Sequence, residues 1–251
     1  MKLGIFVFFG VTLLAASSLF ASVTEQESFS YTLDEGGRFS ISNVNGSITI
    51  VGGKGNAVEI IATKKADDQD DLNDIEIEIS HSASEIVVET ELGNSGGWFS
   101  RGSSGEVRYQ VVVPASSVLE SVETVNGGIS ISGVFGNVVA ESVNGGLDVS
   151  DLTGDVDLST VNGSISAEFA RLQDHQSVKA ETVNGRIRVR LPANASVSVN
   201  ADTMSGRVNA GDFDLEADGG FIGNELNGKI GNGDARMSLE TVNGSIKIEK
   251  Y

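Results

Sequence analysis

The stretch TVNGSI occupies residues 160–165 and occurs again, letter for letter, at residues 241–246. Variants of the same pattern are NVNGSITI (43–50), TVNGGISI (124–131), SVNGGLDV (142–149), TVNGRIRV (182–189), TMSGRVNA (203–210) and ELNGKIGN (225–232). Repetition with a period near 20 residues is typical of solenoid proteins, in which every repeat forms one coil. The repeat therefore indicates the class of fold.

Apolar and polar residues alternate within each copy, as in Ile129 and Ile131 around Ser130. An alternation of period two predicts a strand with one face turned inward. The copies that begin at residues 124, 142 and 160 are 18 residues apart, and between them apolar residues fall on apolar residues. We therefore predict an all-β fold, a parallel β-helix-like solenoid whose coils stack about 4.8 Å apart.

The Asn-Gly pair is predicted to form the corner of each coil, because both residues tolerate positive φ. Asn side chains at one corner of successive coils can stack as a hydrogen-bonded ladder. Val before the pair and Ile two residues after it are expected to fill the core. The predicted structural turn residues are Asn126, Gly127, Asn144, Gly145, Asn162, Gly163, Asn184, Gly185, Asn243 and Gly244.

The chain divides into three predicted parts. Residues 1–21 combine a positive start, an apolar run and small residues, which is typical of a secretory signal peptide, so no stable membrane span is expected after cleavage. Residues 22–115 contain a leading strand, the first repeat and alternating segments that predict an N-terminal antiparallel strand cap. Residues 116–251 form the β-solenoid of VNG repeats.

A proline-containing stretch accompanies the repeats in two places. The segment VVVPASSVLESVETVNG (111–127) is similar to VRLPANASVSVNADTMSG (189–206). The similarity predicts that the same bend occurs twice in the fold.

Composition excludes several functions. The formal net charge of −18 repels nucleic acid and anionic membrane surfaces, so neither is an expected partner. The chain has no Cys and only 2 His, which excludes the usual zinc sites. We predict no metal and no cofactor. The acidic run DDQDDLND (67–74) is interpreted as a solvated loop, with calcium binding left open.

Catalytic patterns are weak. GNSGG (93–97) places Ser95 in a G-x-S-x-G pattern, but a polar Gly/Ser stretch follows instead of the helix that a nucleophile elbow requires. Parallel β-helices can cleave acidic polysaccharides, which requires carboxylates clustered on one face. Asp148, Asp155 and Asp157 lie in one coil, and the matching positions of adjacent coils hold no carboxylate. We therefore predict that the protein is not an enzyme.

A column of cations is the strongest candidate for a binding site. Stacking in chain order would place Arg186, Arg207 and Lys229 at one corner of three successive coils, with Arg188 two residues further on. Like charges one coil apart repel, so their clustering in an acidic chain favours an anion-binding stripe formed by these four residues. The alternative is local pairing with carboxylates such as those of Glu181, Asp202 and Glu225.

The signal peptide, the strand that ends in VVVP (111–114) and the TVNGxIxI repeats together resemble the bacterial putative-adhesin family of β-strand-repeat proteins, a domain of unknown function. The resemblance covers about residues 30–251. It implies a β-helix-like rod in the cell envelope and supplies no catalytic motif.

The function predicted on these grounds is that of a non-catalytic, exported envelope protein, an adhesin or surface-binding protein in the periplasm, on the cell surface or outside the cell. Its partner would be an envelope polysaccharide or another envelope protein. One alternative is a polysaccharide-acting β-helix enzyme, which predicts a cleft with carboxylates. The other is an envelope scaffold or regulatory module, which predicts an exposed apolar patch. Outward positions that are mostly Ser, Thr, Asp and Lys argue against the scaffold.

Overall fold

The computed structural model describes residues 22–93, 105–219 and 223–251. The predicted signal peptide and Ser95 lie outside these residues. The strands are β1 (Val23–Thr32), β2 (Arg38–Asn45), β3 (Ile48–Gly53), β4 (Ala57–Ala66), β5 (Ile75–His81), β6 (Glu85–Leu92), β7 (Glu106–Pro114), β8 (Val118–Asn126), β9 (Ile129–Ser132), β10 (Val138–Ser142), β11 (Leu147–Ser150), β12 (Val156–Asn162), β13 (Ile165–Glu168), β14 (Ser177–Asn184), β15 (Ile187–Leu191), β16 (Val197–Ser205), β17 (Val208–Asn209), β18 (Asp218–Gly219), β19 (Asn224–Ile230), β20 (Ala235–Asn243) and β21 (Ile246–Lys250).

The strands form two open sheets. Sheet A has the order β1-β4-β7-β3-β9-β11-β13-β15-β21-β17, and sheet B has the order β18-β19-β16-β20-β14-β12-β10-β8-β2-β6-β5. Each coil supplies the strand before its Asn-Gly corner to sheet B and the strand after it to sheet A. Neighbouring coils pair in parallel, as β12 with β14 and β13 with β15. The coil thus has two strands.

The N-terminal end carries antiparallel strands. In sheet A, β1 pairs antiparallel with β4, and β4 with β7. In sheet B, β5 pairs antiparallel with β6. The prediction of a parallel solenoid with an N-terminal antiparallel strand cap is therefore confirmed.

One hydrophobic core lies between the sheets. Its inward side chains alternate along each strand, for example Val156 and Leu158 in β12, and Ile165 follows in β13 after the corner. Buried residues of the same core come from chain segments on both sides of residue 115. Both sheets also continue across residue 115. The predicted boundary between the cap and the solenoid at this residue therefore remains a prediction.

The order of the coils differs from the order of the repeats in the chain. The C-terminal copy inserts β20 between β14 and β16, and β21 between β15 and β17. The copy at residues 225–232 falls mainly in β19, which runs antiparallel to β16 and does not start a coil. The expectation that the copies stack in chain order is therefore wrong at this end of the solenoid.

The two proline-containing bends share one function in the topology. Each is closed by a hydrogen bond to the proline carbonyl, from Ser117 N to Pro114 O (2.9 Å) and from Ala195 N to Pro192 O (3.0 Å). At each bend the chain passes from sheet A to sheet B. It also moves past one layer, which consists of one strand of each sheet at the same level of the stack. The layer of β2 and β3 occupies the first gap, and the layer of β20 and β21 occupies the second.

The acidic run at residues 67–74 forms a short helix, α1 (Gln69–Asn73), and is not the loop predicted from its composition. Asp68 caps the helix by accepting a hydrogen bond from the backbone N–H of Asp71 over 2.9 Å. Leu72 anchors the helix, because its side chain is buried against the core. The polar stretch is therefore held to the fold by one buried apolar residue and is capped by Asp68.

Candidate functional site

The corner glycines are required by close approach between coils. A Cβ on Gly185 would lie 1.7 Å from the carbonyl oxygen of Gly163, and a Cβ on Gly163 would lie 1.9 Å from that of Gly145. Among the corner glycines, only Gly46 of the first copy has a positive φ, at 118°. The expectation that the Asn-Gly pair is needed because it tolerates positive φ is thus wrong for the later copies. Glycine is needed there because a Cβ would prevent the adjacent coil from stacking.

The corner asparagines form a continuous ladder. Each Nδ2 donates to the Oδ1 of the preceding member over 2.8–3.0 Å, in the order Asn45, Asn126, Asn144, Asn162, Asn184 and Asn243. Ser205 pairs with Asn243 beyond the last rung. These side chains use their amides on one another, which supports a structural role.

The valine before each corner points outward, contrary to the expectation that it fills the core. In the copies after the first, its buried neighbour is the preceding Thr or Ser. The hydroxyl of that residue donates to a corner glycine carbonyl of an adjacent coil, as from Thr182 Oγ1 to Gly163 O over 2.9 Å. Because successive side chains alternate between faces, burial of the hydroxyl turns the valine out. The outward residues, 37–63% exposed, are Val125, Val143, Val161, Val183, Val242 and Met204.

A column of carboxylates runs beside this valine ladder. The residue two positions before each valine lies on the same outer side of sheet B, and adjacent coils pair Glu123 with Glu141, Glu181 with Glu240, and Glu240 with Asp202. Ser159 interrupts the column between Glu141 and Glu181. We call the valine ladder and this column together the acidic face. Its sequence signal, E-T/S-V-N-G, is an extension of the repeat motif that sequence reasoning overlooked.

Most of these carboxylates lack a cation. Glu181 pairs with Lys179 at 2.9 Å, and this hydrogen bond raises the pKa of the lysine ammonium. Within the described ranges, Glu141, Asp202 and Glu240 form no ion pair. Two like charges one coil apart in a water-exposed setting repel by about 1 kcal/mol. The column therefore does not stabilise the isolated fold, and a cationic partner would relieve the repulsion.

A shallow groove follows the acidic face across its last four coils. Its lining includes Val161, Val183, Val242 and Met204, together with the carboxylates of Glu181 and Glu240. The groove thus combines an apolar floor with negative charge along one side. Such a surface can contact an apolar side chain and a cation at the same time.

The predicted anion stripe is only partly assembled. Arg186 and Arg207 follow the corners before β15 and β17, but β21 separates these strands and places Ser245 between the arginines. Lys229 lies in β19 of sheet B, opposite Ser198. Three cations at one corner of successive coils are therefore not formed, because the C-terminal coil interrupts the chain order. Whether these residues bind an anion remains a prediction.

A different cluster of cations replaces the stripe on the outside of sheet A. Arg188 pairs across the strands with Lys247, and Arg186 and Arg207 lie at the neighbouring corners. We call these four residues the cationic patch. Glu249 contacts Arg188 Nε at 3.6 Å and Lys247 Nζ more closely, and the Lys247 hydrogen bond lowers the pKa of this carboxyl.

The patch keeps an excess of positive charge. In the part of the chain that the structure describes, Arg186 and Arg207 have no ion-pair partner. The Arg186 guanidinium instead donates to Ser245 Oγ at 3.1 Å. The local pairing considered from the sequence therefore does not account for these two residues.

The three aspartates considered for catalysis do not form a cluster. Asp148 lies in β11 of sheet A, whereas Asp157 lies in β12 of sheet B. Asp155 accepts a hydrogen bond from Ser177 N at 2.8 Å. Over residues 22–93, 105–219 and 223–251, no group of three or more His, Cys, Asp and Glu side chains could hold a metal ion. The same residues include no helix with the length and apolar character needed to cross a membrane.

These features define a two-sheet β-solenoid with chemically distinct outer faces. The chain belongs to the Toastrack DUF4097 family, whose model matches residues 16–249. The resemblance to a putative-adhesin domain of unknown function is thereby confirmed.

Two solved structures are similar to this chain at low identity. A putative cell adhesion protein from Clostridium sporogenes is 14% identical with a TM-score of 0.51, covering 90% of this chain and 100% of that chain. A putative adhesin from Bacteroides fragilis is 11% identical with a TM-score of 0.46, covering 89% of this chain and 96% of that chain. The search of curated proteins found no match.

Proposed function

We propose that this protein is an exported, non-catalytic, surface-binding protein of the cell envelope that holds a protein partner against its acidic face. The observation that carries the proposal is the valine ladder, in which Val125, Val143, Val161, Val183 and Val242 remain 37–42% exposed side by side. Contiguous exposed apolar side chains mark interaction surfaces. The signal-peptide pattern of residues 1–21 supports export.

The chemistry of the face favours a protein over a polysaccharide. Valine side chains form no hydrogen bonds, so sugar hydroxyls placed against them would lose hydrogen bonds to water without replacement. Apolar side chains of a protein lose nothing there and gain from burial. This argument favours the scaffold or regulatory alternative within the class of surface-binding proteins.

The enzyme alternative has less support. Glycoside cleavage uses two carboxylates that flank the scissile glycosidic bond. Glu181 and Glu240 instead stand side by side on one strand pair, along an open groove.

Retention on the envelope tests the proposal. The purified protein is mixed with the envelope fraction of its source bacterium, before and after protease treatment of that fraction, and the bound amount is measured after sedimentation. We expect protease treatment to abolish retention. We expect Val161→Lys/Val183→Lys to abolish it as well, because two charges would interrupt the valine ladder.

The matched control is Gln69→Lys/Asn73→Lys, which introduces the same two charges. These two residues also neighbour each other and are exposed, but they lie in α1, outside sheets A and B. The proposal would be contradicted if retention survived protease treatment. It would also be contradicted if both double variants lost retention equally. Fractionation of the producing cells should find the protein outside the cytoplasm, shortened near residue 21.

A further inference from the structure

The two outer faces carry opposite charges on the same coils. In the coil of residues 177–191, Glu181 lies on sheet B and Arg188 on sheet A. In the C-terminal coil, Glu240 and Lys247 occupy the corresponding positions. Each of these coils therefore presents one of these anions on sheet B and one of these cations on sheet A. Lys179 pairs with Glu181 on sheet B, and Glu249 pairs with Arg188 and Lys247 on sheet A.

The two sets of charges share one spacing. Glu181 pairs with Glu240 across sheet B, and Arg188 pairs with Lys247 across sheet A. Adjacent strands are separated by about 4.8 Å in both sheets. In these two layers an anion on sheet B thus matches a cation on sheet A, whereas Asp202 of the next layer matches the neutral Asn209.

The columns also match in their distance from the corner. Val183 and Arg186 are the first outward positions on the two sides of the corner, and Glu181 and Arg188 are the second. Consider a second copy displaced perpendicular to the sheets without rotation. Arg188 of one copy then faces Glu181 of the next, and Lys247 faces Glu240. The apolar stem of Arg186 covers Val183, as arginine stems commonly cover apolar surface.

Shape complementarity extends this match toward the N-terminal coils. There the first outward column of sheet A is small, with Gly128 and Gly146 lining a shallow depression. The residues of the same coils on sheet B are Val125 and Val143. Bulky side chains of one copy would therefore meet glycines of the next. Asp148 would face Glu141, which is a like-charge pair that opposes the contact.

We propose that copies of this protein associate face to face, with the acidic face of one against the outer face of sheet A of the next. The anion expected for Arg188 is then Glu181 of a neighbouring copy, while Arg186 and Arg207 cover Val183 and Met204 beside its carboxylate column. This inference rests on the proposed function and names its partner as a second copy of the chain. Because the contact is heterologous and involves no rotation, repetition produces an open array.

Paired charge reversals test the arrangement. Glu181→Arg/Glu240→Arg makes both faces cationic in the contact region, and Arg188→Glu/Lys247→Glu makes both acidic. Sedimentation velocity over a concentration series should show the wild type growing beyond the dimer. Each variant alone should stay monomeric. An equimolar mixture of the two variants should associate again, because each supplies the charge that the other has lost.

The matched control is Asp67→Arg/Asp70→Arg. It changes the net charge as much as Glu181→Arg/Glu240→Arg does, at exposed positions in or next to α1. We expect it to associate like the wild type. A control that stays monomeric would show that net charge alone governs association, which would overturn the inference.

Two further results would overturn it. One is a wild type that stays monomeric at every concentration, and the other is a mixture of reversed variants that does not associate. In either case, loss of envelope retention in Val161→Lys/Val183→Lys would still support a different protein partner. The two proposals can therefore fail separately.

Discussion

The side-chain amide of Asn243 donates a hydrogen bond to Asn184 Oδ1 over 2.9 Å, although 59 residues separate them in the chain. This contact places the C-terminal coil directly on the coil of residues 177–191. The coil of residues 197–209 then stacks on its other side, since Ser205 pairs with Asn243. The last part of the described chain therefore completes an interior layer of the solenoid.

The asparagine ladder should contribute measurably to stability. Asn162→Ala removes the bonds to Asn144 and from Asn184. Each net hydrogen bond contributes about 0.5–1.5 kcal/mol, so we expect the free energy of unfolding to fall by about 1–2 kcal/mol in urea titrations. Asn194→Ala, at an exposed turn outside the ladder, should change it by less than about 0.5 kcal/mol. Equal effects would contradict a structural role for the ladder.

The corner glycines should tolerate no side chain. A Cβ on Gly244 would lie 1.7 Å from the Gly185 carbonyl oxygen. Since the backbones of two stacked coils must separate to admit it, Gly244→Ala should destabilise the fold by about 3 kcal/mol or more, measured by thermal unfolding. Gly128→Ala is the matched control, because its Cβ would meet its nearest atom at 3.3 Å. A Gly244→Ala protein as stable as this control would refute the close-approach explanation.

Two apolar residues of β12 should respond differently to truncation. Leu158 is fully buried, whereas Val161 is 42% exposed. Leu158→Ala leaves a cavity and should lower the free energy of unfolding by about 2–5 kcal/mol. Val161→Ala should lower it by less than about 1 kcal/mol, because the methyl groups that it removes face solvent. Chemical denaturation of both variants measures the difference. Similar losses would mean that the valine ladder is part of the core.

Tyr109 should make stability depend on pH in the alkaline range. Burial raises its pKa from 10.0 to about 12, while its hydroxyl lies 2.7 Å from Thr90 Oγ1. The unfolded chain loses this proton first, so the contribution is complete below pH 10 and is lost as pH rises toward 12. A shift of about two units corresponds to roughly 2–3 kcal/mol.

The measurement compares the wild type with Tyr109→Phe in denaturation curves over this pH range. Near neutral pH the variant should be less stable by about 1 kcal/mol, because Thr90 loses its buried partner. The gap should narrow and then reverse as pH rises through the alkaline window. A gap that stays constant with pH would show that the Tyr109 hydroxyl titrates normally.

Sequence reasoning predicted the fold because its signals are local. Alternation, the corner motif and the proline bends each lie within a few residues, so they can be read without knowing the neighbours of a strand. The candidate binding site was harder to predict from the sequence. The cationic column was assigned from chain order, and the insertion of the C-terminal coil separated Arg186 from Arg207 and left Lys229 on the other sheet.

The acidic face was missed for a second reason. Period-two alternation states that Thr182 and Val183 lie on opposite sides of the strand, but it does not state which side is inside. Hydrophobicity alone places the valine inside. The hydrogen bond from Thr182 Oγ1 to the Gly163 carbonyl reverses this choice, and it exists only when another coil is stacked on the corner.

The sequence by itself therefore determined the alternating strands, the corner motif and the 18-residue coil length of the copies that begin at residues 124, 142 and 160, since each depends on neighbouring residues. Tertiary structure decided which coils touch and which face is outside. Nearly identical corners can stack in several orders. In the observed order the chain skips one layer at Pro114 and one at Pro192. That order brings Glu240 beside Glu181 on sheet B and Lys247 beside Arg188 on sheet A.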